Sequence, residues 1–333
     1  MYFNIFSLIL ITSIGFITTF ILTPVIARIM KNFHIVGVDV HKLTRPEVPE
    51  MCGLSIVIGM TLSIIILIYM NPQHIYEYIA IILCGMIAGI IGFVDDLRNL
   101  GASTKAFLTS FSCIPILFLG TYHPYPVLPF LGGVRLTIVY PILLPFALAV
   151  PSNAVNMMDV FNGSMTGTCA IISFAMILCL ILTGRFEHAL VASALLGCLI
   201  AFYLFNKYPS KVFTGDTGSL FIGSSIGSLA IIGSIEVATV VALFPHIMNA
   251  FYGLTSVGKL YERKELKNRP TRLLPNSKLD ITEDMNAPMT LTRIILAKGP
   301  LEEYKVVRIM LQLTLISSIL AVITQLIILV SKT

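Results

Sequence analysis

Tyr76–Leu100 reads YEYIAIILCGMIAGIIGFVDDLRNL, and the boundary inside it decides the fold. From Tyr76 to Val94 the run is apolar apart from Glu77, and at 1.5 Å per residue it is long enough to cross a hydrocarbon core of roughly 30 Å. It then stops on Asp95-Asp96, two adjacent carboxylates that lipid cannot solvate. A helix that crosses a bilayer and delivers two acids to one membrane face is the simplest reading.

The pattern repeats on both sides of this stretch. Apolar runs at Tyr2–Ile26, Gly53–Met70, Tyr76–Val94, Ser103–Gly120, Leu136–Val150, Thr166–Thr183, Glu187–Phe205, Gly218–Ser234, Val237–Val257 and Val306–Val330 predict an all-α, polytopic membrane protein of about ten spans. Tyr2–Ile26 has no basic residues ahead of it and outruns a secretory signal core, so it reads as the first span. Composition agrees: 56% of the residues are hydrophobic and 12% charged, with a mean hydropathy of +0.90, far from the quarter or so of charged residues usual in soluble domains. The 333 residues are used up by these helices and their connections, which predicts a single integral membrane domain over 1–333.

Lysine and arginine orient the chain, because they concentrate on cytoplasmic loops. All but Arg135, Arg185 and Lys332 of the 22 fall on one face. Both termini are therefore expected outside, and the loops at about 31–52, 95–104, 151–165, 206–217 and 258–305 in the cytosol. A basic inner face suits anionic headgroups and a polyanionic substrate. No aromatic and basic platform accompanies it, which argues against nucleic acid. Cys52, Cys84, Cys113, Cys169, Cys179 and Cys198 show no paired CxxC spacing and read as small buried hydrophobes.

Four polar clusters emerge on that inner face. Asp95-Asp96 sits at the end of a helix, where the macrodipole disfavours acids, so the pair calls for a divalent cation or a cationic partner such as Lys105. Asn153-Ala154-Val155-Asn156-Met157-Met158-Asp159-Val160-Phe161-Asn162-Gly163 would place Asn153, Asn156 and Asp159 on one helical face. Capping explains one of these residues but not all of them. Lys207–Ser219 contains the Gly215-Asp216-Thr217-Gly218 turn, which can cap the next helix and still offer a carboxylate oxygen to an ion. Arg263–Arg272 carries guanidinium groups at Arg269 and Arg272, able to grip phosphate bidentately as well as to anchor the loop at the membrane. Carboxylates and amides for a hard cation thus lie near basic residues for phosphates. Mg2+ fits this inventory better than Zn2+ does. Phosphoryl chemistry at a membrane surface is the reading that follows.

In their order and spacing, GVDVHK and PEVPEMCG within Gly37–Gly53, GFVDDLRNL at Gly92–Leu100, Lys105, NAVNMMDVFNG at Asn153–Gly163 and PSKVFTGDTGS at Pro209–Ser219 resemble the polyprenyl-phosphate N-acetylhexosamine-1-phosphate transferases. The resemblance spans essentially the whole chain and is nearest to the archaeal and eukaryotic branch that makes dolichol-linked GlcNAc. It implies transfer of GlcNAc-1-phosphate from UDP-GlcNAc to a polyprenyl (dolichyl) phosphate, with release of UMP. By position it implies that Asn156 and Asp216 coordinate Mg2+, with Mn2+ as a substitute, and that Asp95 and Asp96 lie near the acceptor phosphate. Lys105 would contact phosphate, Asn162 would lie beside the nucleotide, and Arg269 and Arg272 would hold the pyrophosphate. Lys42, Glu50, Asn99, Asn153, Asp159 and Gly163 are further candidate substrate contacts. The chain departs from its relatives in having no histidine in Asn268-Arg269-Pro270-Thr271-Arg272, and Asp159 matches the bacterial pattern. The implied partners are the UDP-sugar, polyprenyl phosphate and membrane lipid, with a homodimer as the implied assembly. The short loops suggest a prokaryotic, archaeal plasma membrane ahead of the endoplasmic reticulum.

The rival class is a secondary carrier or lipid flippase with a cytosolic phosphate-binding site, since ionisable groups inside membranes often mark transport routes. His246 and Asn249 in the ninth span are its best support. No internal repeat accompanies them, and the polar residues gather at one interface rather than at mid-membrane.

Overall fold

The computed structural model describes residues 5–258, 269–284 and 286–331. Its helices are α1 (Ile5–Asn32), α2 (Leu54–Met70), α3 (Ile75–Arg98), α4 (Ala102–Ser110), α5 (Ile114–Leu119), α6 (Val139–Met158), α7 (Ser164–Leu182), α8 (Phe186–Asn206), α9 (Gly215–Ile232), α10 (Glu236–Ala242), α11 (Phe244–Val257), α12 (Leu291–Leu296) and α13 (Glu303–Val330). Among the described residues, seven spans are long and apolar enough to cross a membrane, α4 and α5 acting together as one of them. The α10–α11 pair makes an eighth if its two bent halves count as one span. The expected ten differ from this by α2, which is shorter, and by α9, whose glycines and serines dilute its hydropathy.

The composition of α9 follows from where it sits. Every residue from Thr217 to Ile232 is buried, so this helix is solvated by other helices and not by lipid, and small residues let backbones approach. On one side α3 lays Gly85, Gly89 and Gly92 along it. A Cβ at Gly92 would stand 2.2 Å from the Asp216 carbonyl oxygen. On another side α6 approaches so closely that a Cβ at Gly223 would lie 2.5 Å from the Ser152 Cα. Ser224 Oγ donates to the Cys84 carbonyl at 2.9 Å, so the α3–α9 seam is hydrogen-bonded as well as packed. These three helices carry Asp95-Asp96, Asp216 and Asn156.

Two expected spans are interrupted. The fourth divides into α4 and α5 around a 3-10 turn at Phe111–Cys113. The ninth bends by 66° between α10 and α11, where Pro245 in the first turn of α11 has no N–H to continue the helix before it. Short strands also enter the loops of this otherwise helical protein. β1 (Val36–Val38) pairs antiparallel with β2 (Glu47–Pro49), and β3 (Val127–Leu128) with β4 (Gly132–Gly133). In the longest loop β5 (Thr271–Leu273), β6 (Lys278–Ile281) and β7 (Leu301–Glu302) form an antiparallel sheet in that order. Its underside packs Leu279 with Leu291, Leu296, Met158, Phe161 and Val306 into a small second core, so the loop is folded against the ends of α6 and α13. All six cysteines are buried and free, as expected of small hydrophobes.

Candidate active site

α3 runs four residues beyond the expected span, so Asp95 and Asp96 occupy its last turn and point to different tasks. Asp96 reaches across to the start of α9. Its Oδ1 accepts from the Asp216 N–H at 2.8 Å, and its Oδ2 accepts from the Thr217 N–H at 3.0 Å and hydroxyl at 2.6 Å. Thr214, the residue before α9, makes no side-chain cap, so a carboxylate from another helix satisfies the orphan amides and lies at the positive end of the helix dipole. Asp95 is buried and accepts from the Leu100 N–H and from Lys105 Nζ, the latter at 2.8 Å.

Lys105, on α4 and 3% exposed, supplies the cationic partner that the acidic pair required. Its ammonium also donates to Asp216 Oδ2 at 2.6 Å, and Asp216 Oδ1 accepts from Asn156 Nδ2 at 2.8 Å. The same amide contacts Ser219 Oγ at 2.8 Å. Residues from four helices thus form one chain, Asp95–Lys105–Asp216–Asn156. Asn153, one turn earlier on α6, donates to Thr109 Oγ1 and to the Ala149 carbonyl at 2.8 Å, tying α6 to α4 behind the chain.

Asn162 belongs to a neighbouring cluster. Its N–H donates to Glu303 Oε1 at 2.9 Å and its amide to Asp39 Oδ2 at 3.0 Å, and Asp39 pairs with Lys42. Gly163 follows with φ +80°, opening α7 in the left-handed region, and a Cβ there would lie 2.8 Å from Tyr203 Cε2. Gly163→Ala is therefore expected to cost about 2 kcal/mol or more through combined strain and overpacking. The check is the melting midpoint in detergent, and an unchanged midpoint would mean that the turn relaxes freely.

The remaining expected residues lie at the edges. Asp159 ends α6 and is half-buried. Asn99 ends α3 at φ +49° and is exposed. Glu50 is half-buried against the β1–β2 hairpin, with its Oε2 3.2 Å from where a Cβ on Gly37 would be. Arg269 is exposed just before β5. Arg272 on β5 pairs with Asp280 at 3.0 Å and Glu283 at 2.8 Å, partners that push its guanidinium further up from an already high value. The structure therefore ties Arg272 into its own hairpin and not to the buried chain. Arg263, Lys264 and Lys267 lie outside the described residues.

Sequence reading had no signal for Thr217 as the anchor of Asp96, nor for Glu303 as the partner of Asn162. The nearest clue to Glu303 was an acidic pair, Glu302-Glu303, directly before an apolar run. His246 and Asn249 are accounted for by packing: His246 Nε2 lies 2.9 Å from Thr168 Oγ1, and Asn249 bonds the Met157 carbonyl and the Leu291 N–H.

Among the described residues, no three His, Cys, Asp or Glu side chains gather as a metal cage. The donor set on offer is one carboxylate, Asp216, with the amide of Asn156 beside it. That chemistry fits a hard cation such as Mg2+, which commonly takes one or two protein oxygens and completes its shell with water and substrate phosphates.

The chain matches glycosyl transferase family 4 over residues 78–234. It is 31% identical over 331 residues to a protein of Saccharolobus solfataricus, covering 97% of this chain and 98% of the relative; that protein carries, as a provisional designation, the name UDP-N-acetylglucosamine--dolichyl-phosphate N-acetylglucosaminephosphotransferase. A protein of Sulfolobus acidocaldarius with the same provisional name is 31% identical over 336 residues, with 97% of each chain covered. The phospho-N-acetylmuramoyl-pentapeptide-transferase of Bacillus subtilis is 28% identical over 248 residues, 68% of this chain and 75% of the relative.

Proposed function

We propose, from the premise that this chain belongs to glycosyl transferase family 4, that it transfers GlcNAc-1-phosphate from UDP-GlcNAc to a polyprenyl (dolichyl) phosphate, releasing UMP. The observation that carries this reading is the Asp95–Lys105–Asp216–Asn156 chain, where the ends of α3, α4, α9 and α6 that bear these residues meet. It combines a buried ammonium for phosphate with a carboxylate and amide for a cation. The names of the archaeal relatives support the donor and the acceptor.

In this reading an acceptor phosphate oxygen forms a bond to the β-phosphorus of the donor as the bond to the UMP oxygen breaks. A phosphate monoester with a second pKa near 6 is largely dianionic at neutral pH, so its own charge makes it a competent nucleophile. Asp96 takes no part in proton transfer, because both its oxygens cap α9. Asp95 holds Lys105 in place, and Lys105 meets a phosphate oxygen as charge develops. Bound Mg2+, held by Asp216 and Asn156, would supply neutralisation of the diphosphate.

We further assign the protein to an archaeal plasma membrane as one domain of ten spans, counting α2 and α9 and joining α10 with α11. The termini are then outside and the site is cytosolic, a reading supported by the distribution of lysine and arginine. Detergent-purified protein given Mg2+, polyprenyl phosphate and a panel of UDP-sugars is expected to release UMP with UDP-GlcNAc. Excess EDTA should lower the rate at least about 10²-fold, and added Mg2+ should restore it. Activity that survives EDTA unchanged would remove the metal from the reading. An absence of product with every nucleotide sugar would return the carrier reading to the front.

A further inference from the structure

A second buried cluster of charges joins three distant parts of the chain. Glu303, the first residue of α13, is 4% exposed and bonds through Oε1 to the N–H of Asn162. Among the described residues, no donor lies within hydrogen-bonding distance of its Oε2, which is 3.7 Å from Lys42 Nζ. Asp39, 2% exposed, pairs with the same ammonium and accepts from the side chain of Asn162. Lys42 in turn lies 4.8 Å above the Tyr208 ring.

An acid at the start of a helix is favoured by the dipole alone. That explanation suits an exposed residue in contact with its own first turn. Glu303 is buried and bonds to a residue 141 positions away, and two carboxylates share one ammonium, an arrangement costly to bury without further compensation. Its surroundings suggest what it serves. His41 and Phe161 lie ring to ring at 4.6 Å, and Tyr208 and Tyr304 at 6.2 Å, so flat aromatic faces alternate with polar groups here. Such a mixture suits a planar heterocycle with a polar edge. By contrast, α3, α4 and the 3-10 turn that follows α4 expose Phe93, Leu97, Phe107 and Phe111, a surface fit for an isoprenoid chain.

We propose that Glu303 is a positioning residue for the nucleotide half of the donor. It holds the Asn162–Gly163 turn through the backbone and sets Lys42 against Asp39, so that both present a fixed surface to the base and ribose. It touches no reacting atom. This inference rests on the transferase reading above.

Steady-state kinetics of the full-length protein test it. Glu303→Ala should raise the KM for UDP-GlcNAc about tenfold, the order expected when a hydrogen bond to a charged group is lost. The KM for polyprenyl phosphate and kcat should stay within about threefold of wild type. Glu303→Gln keeps an oxygen for the Asn162 N–H and should recover part of the loss, leaving about a threefold rise in KM. That residual rise should vanish when Glu303→Gln is made in a Lys42→Met background, because the missing charge acts through Lys42. Should Glu303→Ala fail to fold, the Glu303→Gln pair of backgrounds decides alone. The proposal is overturned by a wild-type KM for UDP-GlcNAc in Glu303→Gln, by equal rises in both backgrounds, or by both KM values and kcat shifting together with a lowered melting midpoint. If the wild-type protein itself releases no UMP, the transferase reading fails instead.

Discussion

Asp216→Asn is expected to remain folded and to turn over at least about 10²-fold more slowly than wild type, the scale of losing one preorganised charge stabiliser. The substitution keeps the shape of the side chain and leaves the Asp216 N–H on Asp96 untouched. Lys105 keeps Asp95 at 2.8 Å as its counter-charge, so no buried ammonium is orphaned. What disappears is the negative charge between Lys105 and Asn156, where a cation and a diphosphate would meet. UMP release by purified protein, read beside its melting midpoint, checks this. Near-normal release by a folded variant would remove Asp216 from the reacting centre.

Lys105→Met should damage both the reaction and the fold. It leaves the Asp95 carboxylate, 8% exposed, and the Asp216 carboxylate, 28% exposed, facing each other without a cation. Removing one member of a buried ion pair costs about 3–5 kcal/mol, and the partial exposure of Asp216 places the expected loss near the lower end. Turnover should fall about 10²-fold or more, because no ammonium remains for the phosphate. A second change, Asp95→Asn, should recover part of the lost midpoint without recovering UMP release, since it relieves the stranded charge and restores no cation. A Lys105→Met protein with an unaltered midpoint would contradict the ion-pair chain.

The helices were legible because lipid imposes long apolar runs whatever the tertiary structure, and the boundary at Asp95 marks where that requirement ends. Asp95, Lys105, Asn156 and Asp216 were likewise visible as polar residues at one membrane face, and the folded chain brings them within hydrogen-bonding distance. Their division of labour was not visible. Asp95 and Asp96 are adjacent and chemically alike, yet one faces Lys105 and the other caps α9, a difference set by the helical rotation between successive residues and by a neighbour 120 positions away. The bend at α10–α11 escaped an averaged reading of Val237–Val257 because Pro245 breaks the ladder without changing hydropathy. Arg272 looked like a phosphate ligand by residue type, and the hairpin register that sets it opposite Asp280 has no signature in composition. The link between Glu303 and Asn162 joins the start of α13 to the turn before α7, 141 positions apart and beyond the reach of any local pattern.

The glycine-lined seam between α3 and α9 also sets an expectation for how this protein responds to heat. With Gly92 seated on the backbone at Asp216 and Gly223 on that of Ser152, the helices bearing Asp95, Asp216 and Asn156 have no compliant joint between them. Interiors packed this closely do not stretch by degrees. Warming therefore leaves the spacing of these groups nearly constant until the helices separate, and then all of them part at once. Thermal inactivation is therefore expected to be sharp and to coincide with the melting midpoint of the bundle; a long decline in UMP release below that midpoint would contradict it.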